Sequence, residues 1–120
     1  MAHPVMWFEV LGQDSDKLCG FYGNLFGWKI AADNPGKYGV VDTGEARGIP
    51  GGVGQTYPGT RSWVTFYVET PDIAASLREV EQSGGTVVMP RTVLPEVTIG
   101  VFADPEGHVI GLVEPDANAA

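Results

Sequence analysis

The spacing of apolar positions along this chain changes from two to near four and back, and then does so again. Residues 5–11, Val-Met-Trp-Phe-Glu-Val-Leu, read as a first strand, with Trp7, Glu9 and Leu11 on one face and Met6, Phe8 and Val10 on the other. Gly12 to Asp16 form a turn in which Asp14 or Ser15 can cap a helix. Leu18, Phe21, Tyr22 and Leu25 then fall at i, i+3, i+4 and i+7, a helical stripe that Gly27 ends. Extended segments follow at 28–32 and 38–43, joined by the turn Asp-Asn-Pro-Gly-Lys at 33–37. Residues 44–60 are rich in Gly and Pro, with room for one short strand.

The second half repeats the plan. Residues 62–69 read as a strand with Trp63, Thr65 and Tyr67 on one face. Thr70 and Pro71 supply an N-cap and a first helical residue, Ile73, Leu77 and Val80 a helical stripe, and Gly84-Gly85 its stop. Strands follow at 86–90, 97–103 and 108–114, the last two joined by the turn Asp104-Pro105-Glu106-Gly107. From Trp7 to Gly27 is 20 positions and from Trp63 to Gly84 is 21, so the two halves keep one rhythm. Two copies of strand–helix–strand–strand–strand predict an α+β fold in one domain over 1–120, with modules at about 5–56 and 61–115.

Composition narrows the choice of partner. The 15 acidic and 7 basic residues give a formal charge of −8, which repels phosphate backbones, so nucleic-acid binding is not expected. No apolar run reaches the ~18–20 residues of a membrane span, and no basic segment precedes an apolar one at the start, so neither membrane nor export is expected. The single cysteine, Cys19, has no internal partner; the expected location is cytoplasmic.

The doubled plan, with Phe-Tyr-Gly-Asn-Leu-Phe-Gly-Trp at 21–28 and Asp-Pro-Glu-Gly-His-Val-Ile-Gly-Leu-Val-Glu-Pro at 104–115, resembles the vicinal oxygen chelate superfamily, the glyoxalase/bleomycin-resistance/extradiol-dioxygenase group. The likeness covers nearly the whole chain. It implies two βαβββ modules curled into a mixed-sheet cleft, a small-molecule ligand, and pairing as a homodimer. In metal-dependent members, His and Glu side chains from the first and last strands of the modules hold a divalent ion. Those positions fall here on Trp7, Trp63, Gly111 and the segment 48–53, Gly-Ile-Pro-Gly-Gly-Val. None carries a donor, so no metal and no cofactor are expected.

What is left is a cleft without its ion. Gly111 sits in mid-strand, where a missing side chain leaves a hollow. The ligand-binding face is expected to comprise Trp7, Glu9, Leu11, Trp63, Thr65 and Tyr67, with Val109, Gly111 and Val113 opposite. The two indoles either stack on a flat or cationic ligand or fill the space the metal left. Glu9 shares their face; it either works as an acid–base group or accepts a structural hydrogen bond from Tyr67 or another strand. His108 alternates away from Gly111, toward helices or solvent, and His3 falls in a frayed terminus. Cys19 reads as a small core residue, and the Gly-rich 48–55 as a movable turn at the cleft mouth. The leading expectation is a metal-independent protein that binds an aromatic or cationic metabolite or drug. The alternatives are a lyase, isomerase or dioxygenase with a non-standard metal site or with Glu9 as its acid–base group, and a protein whose dimer surface does the work.

Overall fold

The computed structural model describes residues 2–33, 37–57 and 59–115. The predicted turn at 33–37 therefore lies partly outside the described residues. Five elements come first: β1 (Val5–Gly12), α1 (Ser15–Phe26), β2 (Lys29–Ala31), β3 (Gly39–Asp42) and β4 (Gly51–Gln55). Five more follow in the same order: β5 (Trp63–Glu69), α2 (Ile73–Gln82), β6 (Thr86–Val93), β7 (Thr98–Ala103) and β8 (Val109–Val113). The fold is α+β, with βαβββ stated twice. The backbone gathers into two compact units, Trp7–Thr65 and the segment from Phe66 onward together with the N-terminal residues to Met6.

In the unit Trp7–Thr65 the strand order is β2-β3-β4-β1. β4 runs parallel to β1, with Phe8 opposite Gly51, Glu9 opposite Gly52 and Leu11 opposite Gly54. β3 is antiparallel to both β4 and β2. The Gly-rich segment expected to be a movable turn is thus mostly a strand, buried from Gly51 to Gly54. Its glycines are there because rings lie against them: a Cβ at Gly51 would strike the Phe8 ring, and one at Gly52 would strike Tyr38.

Of the two predicted caps, Asp14 is the one used for α1; its side chain accepts from the Lys17 N–H, and Gly27 closes the helix with φ 69°. The predicted apolar stripe is rotated. Leu18, Cys19 and Tyr22 face the sheet in part, whereas Phe21 and Leu25 are each 58% exposed and no α1 residue is fully buried. The rotation follows from what α1 packs on. Gly23 comes close to the Trp28 carbonyl, and the Trp28 ring gathers Phe8 (5.7 Å), Phe26 (5.1 Å) and Tyr22 (6.0 Å). An aromatic cluster at the helix C-terminus, more than a buried stripe, holds α1 down.

In the other unit the order is β5-β8-β7-β6. β5 and β8 are parallel, with Tyr67 opposite Gly111; β7 is antiparallel to β8 and β6, with two register shifts along β6. α2 packs as its pattern predicts. Ile73 and Leu77 bury against Leu112, with Val68, Val87 and Phe102 around them. Each such side chain contributes about 1.5–3 kcal/mol relative to exposure.

The N-cap of α2 is Asp72, accepting from the Ala75 N–H, in place of the predicted Thr70. Thr70 is instead buried, its hydroxyl 2.7 Å from that of Ser76. Glu114 ties three elements together: one oxygen accepts from the Ile73 N–H at 3.0 Å, and both accept from Arg91, at 2.8 and 2.9 Å. The Arg91 guanidinium, and then the Ile73 N–H, hold the Glu114 carboxyl down at about 2.

Candidate functional site

The site begins at the carboxylate of Glu9, which is only 3% exposed on β1. Its Oε2 accepts from the Trp63 indole N–H at 2.8 Å, and its Oε1 from the Tyr38 hydroxyl at 3.1 Å. The Trp7 indole N–H donates in turn to the Tyr38 oxygen, at 2.9 Å. Burial pushes the Tyr38 hydroxyl far above its ordinary range, and the Glu9 charge adds to the shift. The phenol therefore stays neutral and keeps donating. Glu9 thus accepts hydrogen bonds on both oxygens, from Tyr38 and from Trp63.

Tyr38 is the residue that sequence reasoning missed. Its ring lies along β4, where Gly52 and Gly54 leave the width it needs. The signal was in the sequence: glycine at alternate positions of a strand marks a face on which another group lies flat.

The second unit answers the question of the mid-strand glycine. A Cβ at Gly111 would run into the ring of Tyr67. The expected hollow is not there; Tyr67, 4% exposed, occupies it. Register makes the parallel explicit, since Tyr67 pairs with Gly111 as Leu11 pairs with Gly54. Val109 and Val113 flank Gly111 on β8 and are partly exposed, and Thr65, at 7%, is buried on β5.

The residues at the metal-ligand positions do not fit a divalent ion. Two indoles, a glycine and an apolar segment offer no oxygen or imidazole donor. Among the described residues no three His, Cys, Asp or Glu side chains converge in a metal-holding arrangement.

Open space in the unit Trp7–Thr65 lies elsewhere. A groove of about 600 Å³ runs between the start of α1 and the start of β5. Leu11, Val10, Leu18, Val64 and Trp63 give it apolar walls, and Gln13, Asp14, Lys17 and Ser62 a polar end. Leu11 and Trp63 are the two members of the predicted ligand-binding face that border it. Trp63 is held on two sides: its N–H by Glu9, and its ring against Tyr57 at 6.0 Å and 53°.

The remaining candidates have local roles. His108 is mostly exposed and pairs with Asp104 at 2.9 Å across the turn. Asp104 also accepts from the backbone N–H groups of Glu106 and His108, the latter bond being the main cause of its lowered pKa. His3 is held by the Glu69 carbonyl, 2.9 Å from Nδ1, so this part of the terminus is tied to β5. The Cys19 thiol points at the Val53 carbonyl, and burial pushes its pKa up, which makes it a poor nucleophile.

Comparison with known proteins gives a family and a fold. Residues 8–113 match the family described as Glyoxalase-like domain. The anthracycline biosynthesis protein DauV of Streptomyces sp. (strain C5) is 32% identical over 120 residues, covering 84% of this chain. The chain spans only 43% of that relative's length. Two solved structures share the fold. One is a glyoxalase/bleomycin resistance protein/dioxygenase superfamily member from Vibrio splendidus 12B01, with TM-score 0.61, 15% identity and coverage of 94% of this chain and 98% of that one. The other is methylmalonyl-CoA epimerase from Mycobacterium tuberculosis, with TM-score 0.63, 14% identity and coverage of 93% and 87%.

Proposed function

Because the chain belongs to the Glyoxalase-like domain family, yet lacks donors where its metal-dependent kin would hold an ion, we propose that it binds a small planar molecule without metal. The site is the groove walled by Trp63. One observation carries the reading: the indole is immobilised by its N–H bond to the buried Glu9, so its free surface is a ready platform. A fixed aromatic wall loses little entropy on binding, and stacking contributes about 0.5–1.5 kcal/mol beyond area burial. The volume of about 600 Å³ is within the range usual for ligand sites. The relative's association with anthracycline biosynthesis accords with a flat, fused-ring ligand. Glu9 is an anchor in this account, since both its oxygens accept hydrogen bonds inside the unit.

The same reading takes the protein to be a homodimer. Phe21, Leu25 and Phe26 of α1, each more than half exposed, favour a self-contact. Sedimentation at micromolar concentration gives a dimer if this is right and a monomer if it is wrong.

Calorimetric titration with naphthalene-2-methanol tests the groove itself. Binding is expected in the wild type, and Ser62→Trp, which fills the groove from an exposed position, is expected to weaken it at least about tenfold. Absence of binding, or equal binding by the variant, overturns the assignment.

A further inference from the structure

The polar end of the groove carries information about the ligand that its apolar walls do not. Four polar residues line it: Gln13, Asp14, Lys17 and Ser62. Asp14 is committed, because its Oδ1 accepts from the Lys17 backbone N–H as the cap of α1. Three first-turn N–H groups are occupied too: that of Ser15 by the Gln55 side chain at 3.1 Å, that of Lys17 by Asp14, and that of Leu18 by the Asp14 carbonyl at 3.1 Å. Asp14 and most of the helix terminus are thus engaged with each other.

The two donors beside them are less engaged. The Lys17 ammonium has no ion-pair partner among the described residues. The Gln13 side-chain nitrogen reaches Thr56 and Ser62 only at 3.5 Å each, at the far limit of a hydrogen bond. Bonds that long cost little to exchange for a better acceptor. The least engaged N–H donors at this end are therefore an ammonium and a pair of amide hydrogens. They suit an acceptor that is itself an anion, and a carboxylate offers two oxygens to two donors.

We infer that the ligand of this groove is a planar aromatic carboxylate. Its ring system lies on Trp63 between Val10, Leu18 and Val64, and its carboxylate lies between Lys17 and Gln13. This inference rests on the small-molecule reading above and adds the ligand's charge to it. It turns away from the cationic ligands that two indoles alone would suggest, because the Asp14 carboxylate is engaged at the positive end of α1, whereas the Lys17 ammonium has no ion-pair partner among the described residues.

The experiment is a calorimetric comparison of 2-naphthoate with naphthalene-2-methanol, the same ring without the charge. Wild-type protein is expected to prefer the carboxylate by about three- to tenfold, as a charge-assisted contact to an exposed lysine would give. Lys17→Met should abolish the preference, bringing 2-naphthoate and the alcohol to equal affinity; Lys17→Arg should keep most of it. Higher ionic strength should shrink the preference in the wild type but not in the methionine variant. Melting temperatures confirm that each variant is folded. If both compounds bind equally to the wild type, or if the preference survives in Lys17→Met, the carboxylate assignment is overturned while the planar-ligand reading stands. If neither compound binds, the small-molecule reading fails and this inference fails with it.

Discussion

The two units follow one plan and fill it differently. In each, the first and last strands of a βαβββ module run parallel, a glycine faces the first strand, and a tyrosine ring covers glycine. In the second unit the ring belongs to the opposite residue itself, Tyr67 over Gly111. In the first, the opposite residue is Leu11, and the ring comes from Tyr38, just before β3, lying over both Gly52 and Gly54. The consequence is chemical. Tyr67 occupies the space beside Gly111, and Tyr38, in covering its own two glycines, links Trp7 to a buried carboxylate that fixes Trp63. The helices differ in the same sense: α2 buries Ile73 and Leu77, while α1 buries nothing completely. The backbone plan is repeated, and the proposed groove lies in the copy that departs from the other.

The comparison breaks most readily at Glu9. Replacing it with Ala leaves the Trp63 N–H and the Tyr38 O–H without their acceptor, at about 1–3 kcal/mol for each. A loss of about 4 kcal/mol is expected in denaturant unfolding, with Trp63 fluorescence changed in the folded state. A loss below about 1 kcal/mol would mean that water reaches these donors and that Glu9 fixes nothing. The corresponding change in the second unit is Gly111→Leu. Its side chain would be driven into the Tyr67 ring, so overpacking should cost about 1–3 kcal/mol. A neutral or stabilised variant would show that Tyr67 yields and that the hollow expected from the sequence can open.

A smaller effect, confined to the second unit, concerns acid. The Glu114 carboxyl lies at about 2, below its ordinary 4.5. A group whose pKa falls on folding favours the folded state above its unfolded value and loses that contribution as protonation proceeds. Stability should therefore decline between pH 4.5 and about 2 more steeply in the wild type than in Glu114→Gln. Parallel profiles would show that the Arg91 pair contributes nothing.

Much of the fold was legible because periodicity and turn chemistry are local. The α2 stripe, the Gly27 stop and the turn at Asp104 all follow from residues within a few positions of one another. The features that escaped depend on distant contacts. The rotation of α1 is decided by Trp28 and Phe8, the strand character of Gly51–Gln55 by its partner β1, and the cap of α2 by the hydroxyl pairing of Thr70 with Ser76. The site divided along the same line. Strand alternation placed Trp7 with Glu9, the family resemblance brought Trp63 to the same cleft, and hydrogen bonds link the three through Tyr38. Tyr38, the residue through which Trp7 and Glu9 are joined, enters from 29 positions away and has no periodic signature. Gly111 looked open because the occupant of its space sits on another strand.

The account stands on Trp63 being the wall of an open groove whose polar end selects an anion. The most direct measurement is a crystal structure of the protein soaked with 2-naphthoate. The account predicts density for the ring against Trp63, bordered by Val10, Leu18 and Val64, with the carboxylate toward Lys17 and Gln13. Density beside Trp7 and Tyr38 with the groove empty, or an undisturbed groove at saturating ligand, would contradict it.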